Sequence, residues 1–253
     1  MAKKSDYIAV FDSGVGGISV LKELLAQMPG ENYLYFGDSA NAPYGEKATQ
    51  QVRKLTLDAA KMLLARGVKA LVIACNTATA TAIAELRATY TDTIIVGIEP
   101  ALKVAADHFP GSRVGVMATP VTLREEKFSA QLQRFPQVRV TPIPVTGLVE
   151  LIETGASSQA IRSVLHTCLD PFVGKLDAVV LGCTHYPFAA KEIQEILGPD
   201  TVLLDGSIGT AAHTRHLLEN AGLLLAGEGS ITIENSSPDA AIIARCRELI
   251  ERK

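Results

Sequence analysis

Short apolar runs alternate with longer amphipathic stretches along the whole chain, and this alternation constrains the fold more than any other feature. Most of the runs are continuously apolar, which is typical of strands that are covered on both faces. Repeated strand–helix units predict an α/β fold whose mainly parallel sheets are flanked by helices. The predicted strands cover residues 7–11, 33–36, 70–74, 94–97, 113–117, 138–143, 178–182 and 201–204.

One of the amphipathic stretches shows its helical period clearly. Apolar residues recur there every three or four positions, as on one face of a helix, and Gly67 follows as a helix terminator. The predicted buried face consists of Ala48, Val52, Leu55, Ala59 and Met62.

The chain is also weakly similar to itself. Residues 71–77 (LVIACNT) match residues 179–185 (VVLGCTH) 108 positions later, and residues 8–13 match residues 114–119 at nearly the same offset. We therefore expect two similar, pseudo-symmetric lobes. The first lobe is predicted to span 1–98 plus 209–253 and the second 99–208, with the last 45 residues largely helical and packed on the first lobe.

Charge and hydropathy exclude several classes of protein. The chain has 24 Lys and Arg against 27 Asp and Glu, a net charge of −3, whereas a general nucleic-acid binder usually carries a basic surface. No apolar run approaches the length of a membrane span, and the first residues lack the pattern of a signal peptide. We expect a cytoplasmic protein that binds neither nucleic acid nor membrane.

The four cysteines fall into two classes. Cys75 and Cys183 lie where a buried strand ends and a helix begins, whereas Cys168 and Cys246 lie inside helical patterns and are interpreted as structural. In open α/β sheets, ligands bind at the carboxyl ends of strands. A helix N-terminus lowers the pKa of a thiol, so we expect Cys75 and Cys183 to act near neutral pH.

Two thiols facing each other across a cleft suit one kind of reaction. A pair of matched acid–base groups can remove a proton from one face of a carbon and return one to the other face, which is racemisation. A nucleophilic cysteine would instead require one thiol with one histidine and an orienting group.

Other polar residues are predicted at the same sheet edge. Asp12 and Ser13 end the first strand before a glycine-rich turn that matches neither a P-loop nor a dinucleotide fingerprint. The loop 38–45 contains residues that can hold a carboxylate with backbone N–H groups. His185 lies two residues beyond Cys183 and can tune that thiol. His213 and His216 lack further ligands at suitable spacing, so no metal site is expected.

These motifs resemble one known family. Asp12-Ser13-Gly14, Pro43-Tyr44-Gly45, Cys75-Asn76-Thr77 and Gly182-Cys183-Thr184-His185, in this order and spacing, resemble the bacterial glutamate racemases of the aspartate/glutamate racemase superfamily. The resemblance covers essentially the whole chain. It implies two α/β lobes with the active site in the cleft between them, no cofactor, no metal, and interconversion of L- and D-glutamate for peptidoglycan synthesis. It also implies a homodimer, or a monomer and dimer in exchange.

The resemblance also implies roles for individual residues. Cys75 would take the α-proton of D-glutamate with help from Asp12, and Cys183 that of L-glutamate with help from His185. Glu153 matches an acidic residue that the family carries on a helix near the second thiol, while Glu150 is left as a solvated charge. The implied substrate-binding residues are Asp12, Ser13, Pro43, Tyr44, Gly45, Cys75, Asn76, Thr77, Thr119, Cys183, Thr184 and His185.

The sequence departs from the family pattern in a few places. Glu125 and Phe128 stand where the family often has Ser and Tyr, and the Asp205-Gly206-Ser207 turn is unusual. The short N-terminus lacks the extension of forms activated by a peptidoglycan precursor, so no such activation is expected. Three alternatives stay open at this point: aspartate or another amino acid as substrate, an amino-acid-binding module without turnover, and a cysteine-dependent amidase.

Overall fold

The computed structural model describes residues 2–98, 101–124 and 126–252 and places two parallel sheets between layers of helices. In chain order the strands are β1 (Ile8–Asp12), β2 (Asn32–Gly37), β3 (Ala70–Ile73), β4 (Ile94–Gly97), β5 (Arg113–Ala118), β6 (Arg139–Pro144), β7 (Ala178–Leu181), β8 (Val202–Leu204) and β9 (Ser230–Asn235). The predicted α/β fold with mainly parallel sheets is confirmed.

Helices follow most strands and cover both faces of the sheets. They are α1 (Ile18–Gln27), α2 (Thr49–Leu64), α3 (Asn76–Thr89), α4 (Ala101–His108), α5 (Pro120–Arg124), α6 (Glu126–Arg134), α7 (Leu148–Glu153), α8 (Ser158–Leu169), α9 (Ala190–Leu197), α10 (Ser207–Asn220) and α11 (Ala240–Glu251). Short 3-10 turns occur at 39–41, 44–46, 170–172 and 186–189. None of the helices among the described residues is both long and apolar enough to cross a membrane.

Four strands of each sheet share one order. The first sheet is β4-β3-β1-β2-β9, and the second, written in the same direction, is β8-β7-β5-β6. β1 is therefore equivalent to β5, and β3 to β7. The register agrees as well, because Ile8 pairs with Ala70 in the first sheet and Val114 pairs with Ala178 in the second. The topology therefore supports the internal similarity found in the sequence.

One strand was not predicted. β9 pairs in parallel with β2 at the edge of the first sheet, so the last 45 residues are not purely helical. Its Ser230–Asn235 sequence alternates polar and apolar residues, as expected for an edge strand with one solvated face. α10 and α11 pack on α1, and α10 also packs on β4. α10 begins at Ser207, so the predicted boundary near 208 falls in its first turn, and the extent of the two lobes stays a prediction.

The core explains why the two sheets lie against each other. Alternate residues of a strand face opposite sides, so Ile8 and Val10 of β1 belong to an apolar cluster that also contains Val179 of β7. Ala9 and Phe11, which face the other side of β1, pack into a second cluster with residues of α2 and α3. Because one cluster reaches from the first sheet to the second, the carboxyl ends of β1, β3, β5 and β7 meet around one cleft.

Two of the unusual positions lie in this framework. Phe128 is buried in an apolar cluster on the outer face of the second sheet. In the Asp205-Gly206-Ser207 turn, Ser207 N–H donates to Asp205 Oδ1 at 2.7 Å, directly before α10. Glu125 lies outside the described residues.

Candidate active site

A cleft between the carboxyl ends of the two sheets brings most of the predicted site residues together. Its unfilled space amounts to about 470 Å³, open solvent included. Eleven predicted residues line it: Ser13, Pro43, Tyr44, Gly45, Cys75, Asn76, Thr77, Thr119, Cys183, Thr184 and His185. The substrate-binding roles given to these residues stay predictions, but their convergence on one cavity is now a structural fact.

Asp12 and Glu153 lie directly behind the wall of the cleft. Asp12 is fully buried at the end of β1, where its carboxylate accepts from Gly14 N–H and from Thr184 Oγ1, both at 3.0 Å. Burial raises the pKa of Asp12 above its usual value, against the opposing effects of the His185 charge and these hydrogen bonds. Since Thr184 follows β7, this carboxylate ties the first sheet to the second.

Cys75 is a buried thiol at the start of α3. Its Sγ accepts from Ala78 N–H at 3.4 Å and its thiol donates to Ser13 Oγ at 3.5 Å. Burial, reinforced by the charge of Asp12, raises the pKa of Cys75 to about 12 and outweighs the two hydrogen bonds. The prediction of a lowered pKa for Cys75 is therefore wrong, because a sequence reveals the helix N-terminus but not the desolvation.

Cys183 has a different set of neighbours. His185 Nδ1 lies 3.6 Å from its Sγ, and His185 Nε2 lies 2.7 Å from Glu153 Oε1. Burial alone would lower the pKa of His185, but its hydrogen bonds and charge interactions with Cys183 and Glu153 raise that pKa well above the usual value. His185 is therefore an imidazolium ion that lies between the sulfur of Cys183 and the carboxylate of Glu153.

Glu153 links the second sheet to the first. It ends α7, and its Oε1 also accepts from Val15 N–H, in the turn before α1, at 2.8 Å. Burial tends to raise the pKa of Glu153, but His185, Val15 N–H and Arg245 hold it below its usual value. A Cβ atom on Gly14 would lie 1.9 Å from this carboxylate oxygen, so the close approach requires a glycine.

The opposite rim of the cleft is formed by the loop after β2. Tyr44 is buried, and its hydroxyl donates to Asp38 Oδ2 at 2.6 Å. A Cβ atom on Gly45 would come within 2.5 Å of Thr119 Cγ2. The loop therefore contacts the second sheet closely and narrows the cleft.

Several lining residues were missed by the sequence analysis. Glu150 is exposed, as expected, but it also lines the cleft. Beside the cleft, Thr122 joins two of its lining residues, Thr77 and Thr119, in a cluster of three hydroxyls separated by 3.0–3.3 Å. The helical period of 148–154 could have placed Glu150 and Glu153 on one face, but it could not say which cavity that face borders. The other unpredicted lining residues are Glu46, Pro120, Val145, Thr146, Gly147 and Val149.

The other cysteines and histidines lie outside this site. Cys246 is fully buried in the core and Cys168 is partly buried, with its thiol donating to Leu165 O at 3.3 Å. His216 Nε2 lies 3.0 Å from Asn220 Nδ2 on α10. Within the described part of the chain, no group of three or more His, Cys, Asp or Glu is arranged to hold a metal ion.

Comparisons with known proteins agree with this geometry. Residues 13–217 match the family model described as Asp/Glu/Hydantoin racemase. A glutamate racemase of Bifidobacterium adolescentis is 47% identical over 253 residues, covering 97% of this chain and 98% of the relative. One of Clostridium perfringens (strain SM101) is 44% identical over 255 residues, covering 99% and 98%.

A solved structure extends the agreement to the fold. The crystal structure of glutamate racemase from Francisella tularensis in complex with D-glutamate superposes with a TM-score of 0.89 at 29% identity, covering 99% of this chain and 95% of that one. This chain therefore belongs to the Asp/Glu/Hydantoin racemase family, among its glutamate racemases, and is an isomerase.

Proposed function

We propose that this protein interconverts L- and D-glutamate by a two-base mechanism, without cofactor or metal, using Cys75 and Cys183 as the bases. One observation carries the proposal: the two thiols occupy equivalent strand ends in two sheets of the same topology and line the same cleft. A substrate between them presents one face of its α-carbon to each sulfur. The product D-glutamate would supply peptidoglycan synthesis.

The surroundings of the two thiols differ in charge. Burial and the Asp12 charge keep Cys75 as a thiol, which is a proton donor. The raised pKa of His185 keeps a protonated imidazole 3.6 Å from Cys183 Sγ, and the proposed mechanism uses this second sulfur as the proton acceptor. In this state Cys183 takes the α-proton of L-glutamate and Cys75 delivers a proton to the opposite face. The reverse reaction starts with the thiolate on Cys75.

The polar groups of the cleft divide between the two ends of the substrate. Ser13, Asn76 and Thr184 border the thiols and would bind the amino and α-carboxylate groups. The hydroxyls of Thr77, Thr119 and Thr122, with the backbone of Tyr44 and Gly45, would bind the side-chain carboxylate. Hydroxyl and N–H donors are suitable for a carboxylate that has lost its water.

The α-proton of an amino acid is much less acidic than a thiol, so the site must stabilise the carbanion. A closed cleft that excludes water strengthens every hydrogen bond to the developing negative charge. The contacts of Asp12 with Thr184 and of Glu153 with Val15 already join the two sheets behind the thiols. We infer that they hold the cleft near its closed geometry.

We further propose that the protein acts in the cytoplasm and that it forms a homodimer or exchanges between monomer and dimer. The chain would bind glutamate as its only obligatory small-molecule partner. The two lobes would extend over 1–98 with 209–253 and over 99–208.

Proton NMR in D₂O tests the proposal. Purified protein with a chelator and no added cofactor is incubated with L-glutamate, and chiral analysis follows. We expect the α-proton signal to disappear while D-glutamate accumulates toward an equal amount. Exchange of L-aspartate in place of L-glutamate would keep the mechanism and change the substrate. If neither amino acid exchanges, the two-base mechanism is wrong.

A further inference from the structure

Arg245, on the C-terminal helix α11, reaches the end of the helix that carries Glu153. Its Nε and Nη2 donate to Ile152 O at 3.1 and 3.0 Å, so two donors of one guanidinium hold a single carbonyl group. Its Nη1 pairs with Glu248 Oε2 at 2.7 Å, one turn further along α11. The side chain of Arg245 is only 14% exposed. A long cation fixed this firmly in one geometry loses much rotamer entropy, so its position calls for a physical role.

The carbonyl that Arg245 holds belongs to the residue directly before Glu153. α7 has only six residues and ends at Glu153, so holding its last turn fixes the start of the Glu153 side chain. Glu153 Oε1 in turn lies 2.7 Å from His185 Nε2, and His185 Nδ1 lies 3.6 Å from Cys183 Sγ. A continuous series of contacts thus runs from α11 to one of the two thiols.

Charge acts in the same direction as geometry. The positive charge of Arg245 contributes to holding the pKa of Glu153 below its usual value, although the effects of His185 and Val15 N–H are larger. Other charged groups that border the same groove between α7 and α11 are Glu150, Asp239 and Glu248. These three are acidic, so Arg245 is the one basic side chain among the described residues that line this groove.

The other thiol has different immediate neighbours. Cys75 contacts Ser13 and Ala78 and is influenced by the charge of Asp12, all on the first sheet and the helix that follows β3. Arg245 touches α7, which follows β6 of the second sheet. A change at Arg245 should therefore affect the two thiols unequally.

We propose that Arg245 is a positioning residue for Cys183, which acts by holding Glu153 and, through it, His185. The inference rests on the proposed two-thiol mechanism. It assigns to the C-terminal helix a part in the chemistry of one face of the substrate, although α11 itself contributes none of the residues that line the cleft.

Racemisation rates alone cannot test an effect on one thiol. The equilibrium constant of a racemase is one, so the values of kcat/KM for the two enantiomers must stay equal in every variant. A half-reaction removes this constraint. In 3-chloroglutamate, removal of the α-proton leaves an electron pair that forms a C=C bond while chloride departs, and water converts the resulting enamine to 2-oxoglutarate and ammonium. The L form would use Cys183 as base and the D form Cys75.

The experiment compares Arg245→Gln with Arg247→Gln, a matched change at an exposed position of the same helix. We expect Arg245→Gln to lower kcat/KM for elimination from the L form by about tenfold, with less than about a twofold change for the D form. When kcat/KM for elimination from the L form is plotted against pH, its acid limb should move to higher pH, because loss of the positive charge raises the pKa of Glu153. Arg247→Gln should change neither half-reaction.

Equal losses for both forms with an unchanged pH profile would overturn the inference, since a purely structural role predicts that result. So would full L activity in Arg245→Gln. If that variant does not fold, Arg245→Lys decides: it keeps the charge but cannot donate two bonds to one carbonyl, and only a loss confined to the L form supports the inference. Wild-type protein that eliminates chloride from neither form and does not exchange the α-proton of L-glutamate in D₂O would instead refute the proposed function.

Discussion

The two thiols lie at equivalent positions of two similar sheets, yet their neighbours differ in kind. Cys75 contacts a hydroxyl and a backbone N–H near the fully buried carboxylate of Asp12, whereas Cys183 contacts an imidazole backed by Glu153. By strand register, Ala118 is the counterpart of Asp12 and Thr77 is the counterpart of His185. The internal repeat therefore accounts for the equivalent positions of the two thiols. The residues that differ between the two halves give each thiol different neighbours.

This asymmetry has a chemical use. A two-base racemase needs one thiol protonated and the other deprotonated at the same time. Identical surroundings would give both thiols the same affinity for a proton. Unequal surroundings are what the two thiols have here: burial holds the proton on Cys75, and the positive charge of His185 lies beside Cys183.

The largest expected effect comes from removing either thiol. Cys75→Ser and Cys183→Ser should each lower racemisation by a factor of at least about 10³, because a hydroxyl is too weak an acid to exchange the α-proton. Chiral analysis of the product measures the loss. The controls are Cys168→Ser and, for the fully buried thiol in the core, Cys246→Ala. Comparable losses in all four variants would mean that packing, and not catalysis, distinguishes Cys75 and Cys183.

The sequence was sufficient to predict the pairing of the two thiols. The apolar runs before the two cysteines and their shared 108-residue offset predicted the strands that the cysteines follow, and the register confirms these strands. The sequence was not sufficient to predict every residue on the buried face of a helix. Helix α2 is present, but Thr56, Ala60 and Leu63 are buried beside Val52 and Ala59, and Met62 is 40% exposed. The helical period predicts the spacing of the buried residues. Which residues lie at the border of the buried face depends on the helix packed beside it.

Features that depend on packing between distant parts of the chain could not be predicted from the sequence. The contacts of Asp12 with Thr184 and of Glu153 with Val15 join residues 172 and 138 positions apart. The raised pKa of Cys75 depends on burial, which follows from the packing of both sheets. β9 was missed because its alternating residues form a solvated edge and not an apolar run.

The comparison of the two sheets continues at their other end, and it predicts a large difference in stability. Lys69, directly before β3, forms a fully buried ion pair with Glu31 and also donates to Leu223 O. Asp177, at the equivalent position before β7, forms an exposed ion pair with Arg113. Lys69→Met should cost about 3–5 kcal/mol, because it leaves the Glu31 carboxylate buried without its partner.

Urea denaturation measures this difference. Arg113→Met is the matched control and should change the midpoint little, since solvent screens an exposed pair. A double variant, Lys69→Met with Glu31→Leu, should recover part of the loss because it removes the stranded charge as well. Equal costs for Lys69→Met and Arg113→Met would show that burial of the first pair does not matter.

A smaller effect is expected from the groups behind the thiols. His185→Gln should lower α-proton removal from the L form of 3-chloroglutamate by about 10²-fold, since glutamine cannot carry the positive charge that His185 holds beside Cys183. Asp12→Asn should act mainly on the D form, by about tenfold, because it changes the charge beside Cys75. Elimination kinetics with each enantiomer measure both effects. The same loss on both forms in both variants would contradict separate control of the two thiols.

The last expected effect is absent near neutral pH and concerns the stability of the free protein in alkaline solution. The pKa of Cys75 is about 12 in the folded protein against an ordinary value of 9.0, so between these values the unfolded chain loses this proton and the folded chain keeps it. Folding then binds a proton, and the free energy of unfolding falls as pH rises, by at most about 1.4 kcal/mol per pH unit from this thiol. Below pH 9 both states hold the proton and the contribution is constant.

Cys75→Ser removes this titration, so its free energy of unfolding should fall less steeply above pH 9 than that of the wild type, while the two slopes should agree at pH 7–8. Urea denaturation at each pH measures the slopes, and the difference between wild type and variant cancels the buried tyrosines, whose raised pKa values act on both proteins. Parallel curves over the whole range would mean that Cys75 is not held as a thiol by burial. The opposite protonation states of the two bases would then require the substrate itself to create them.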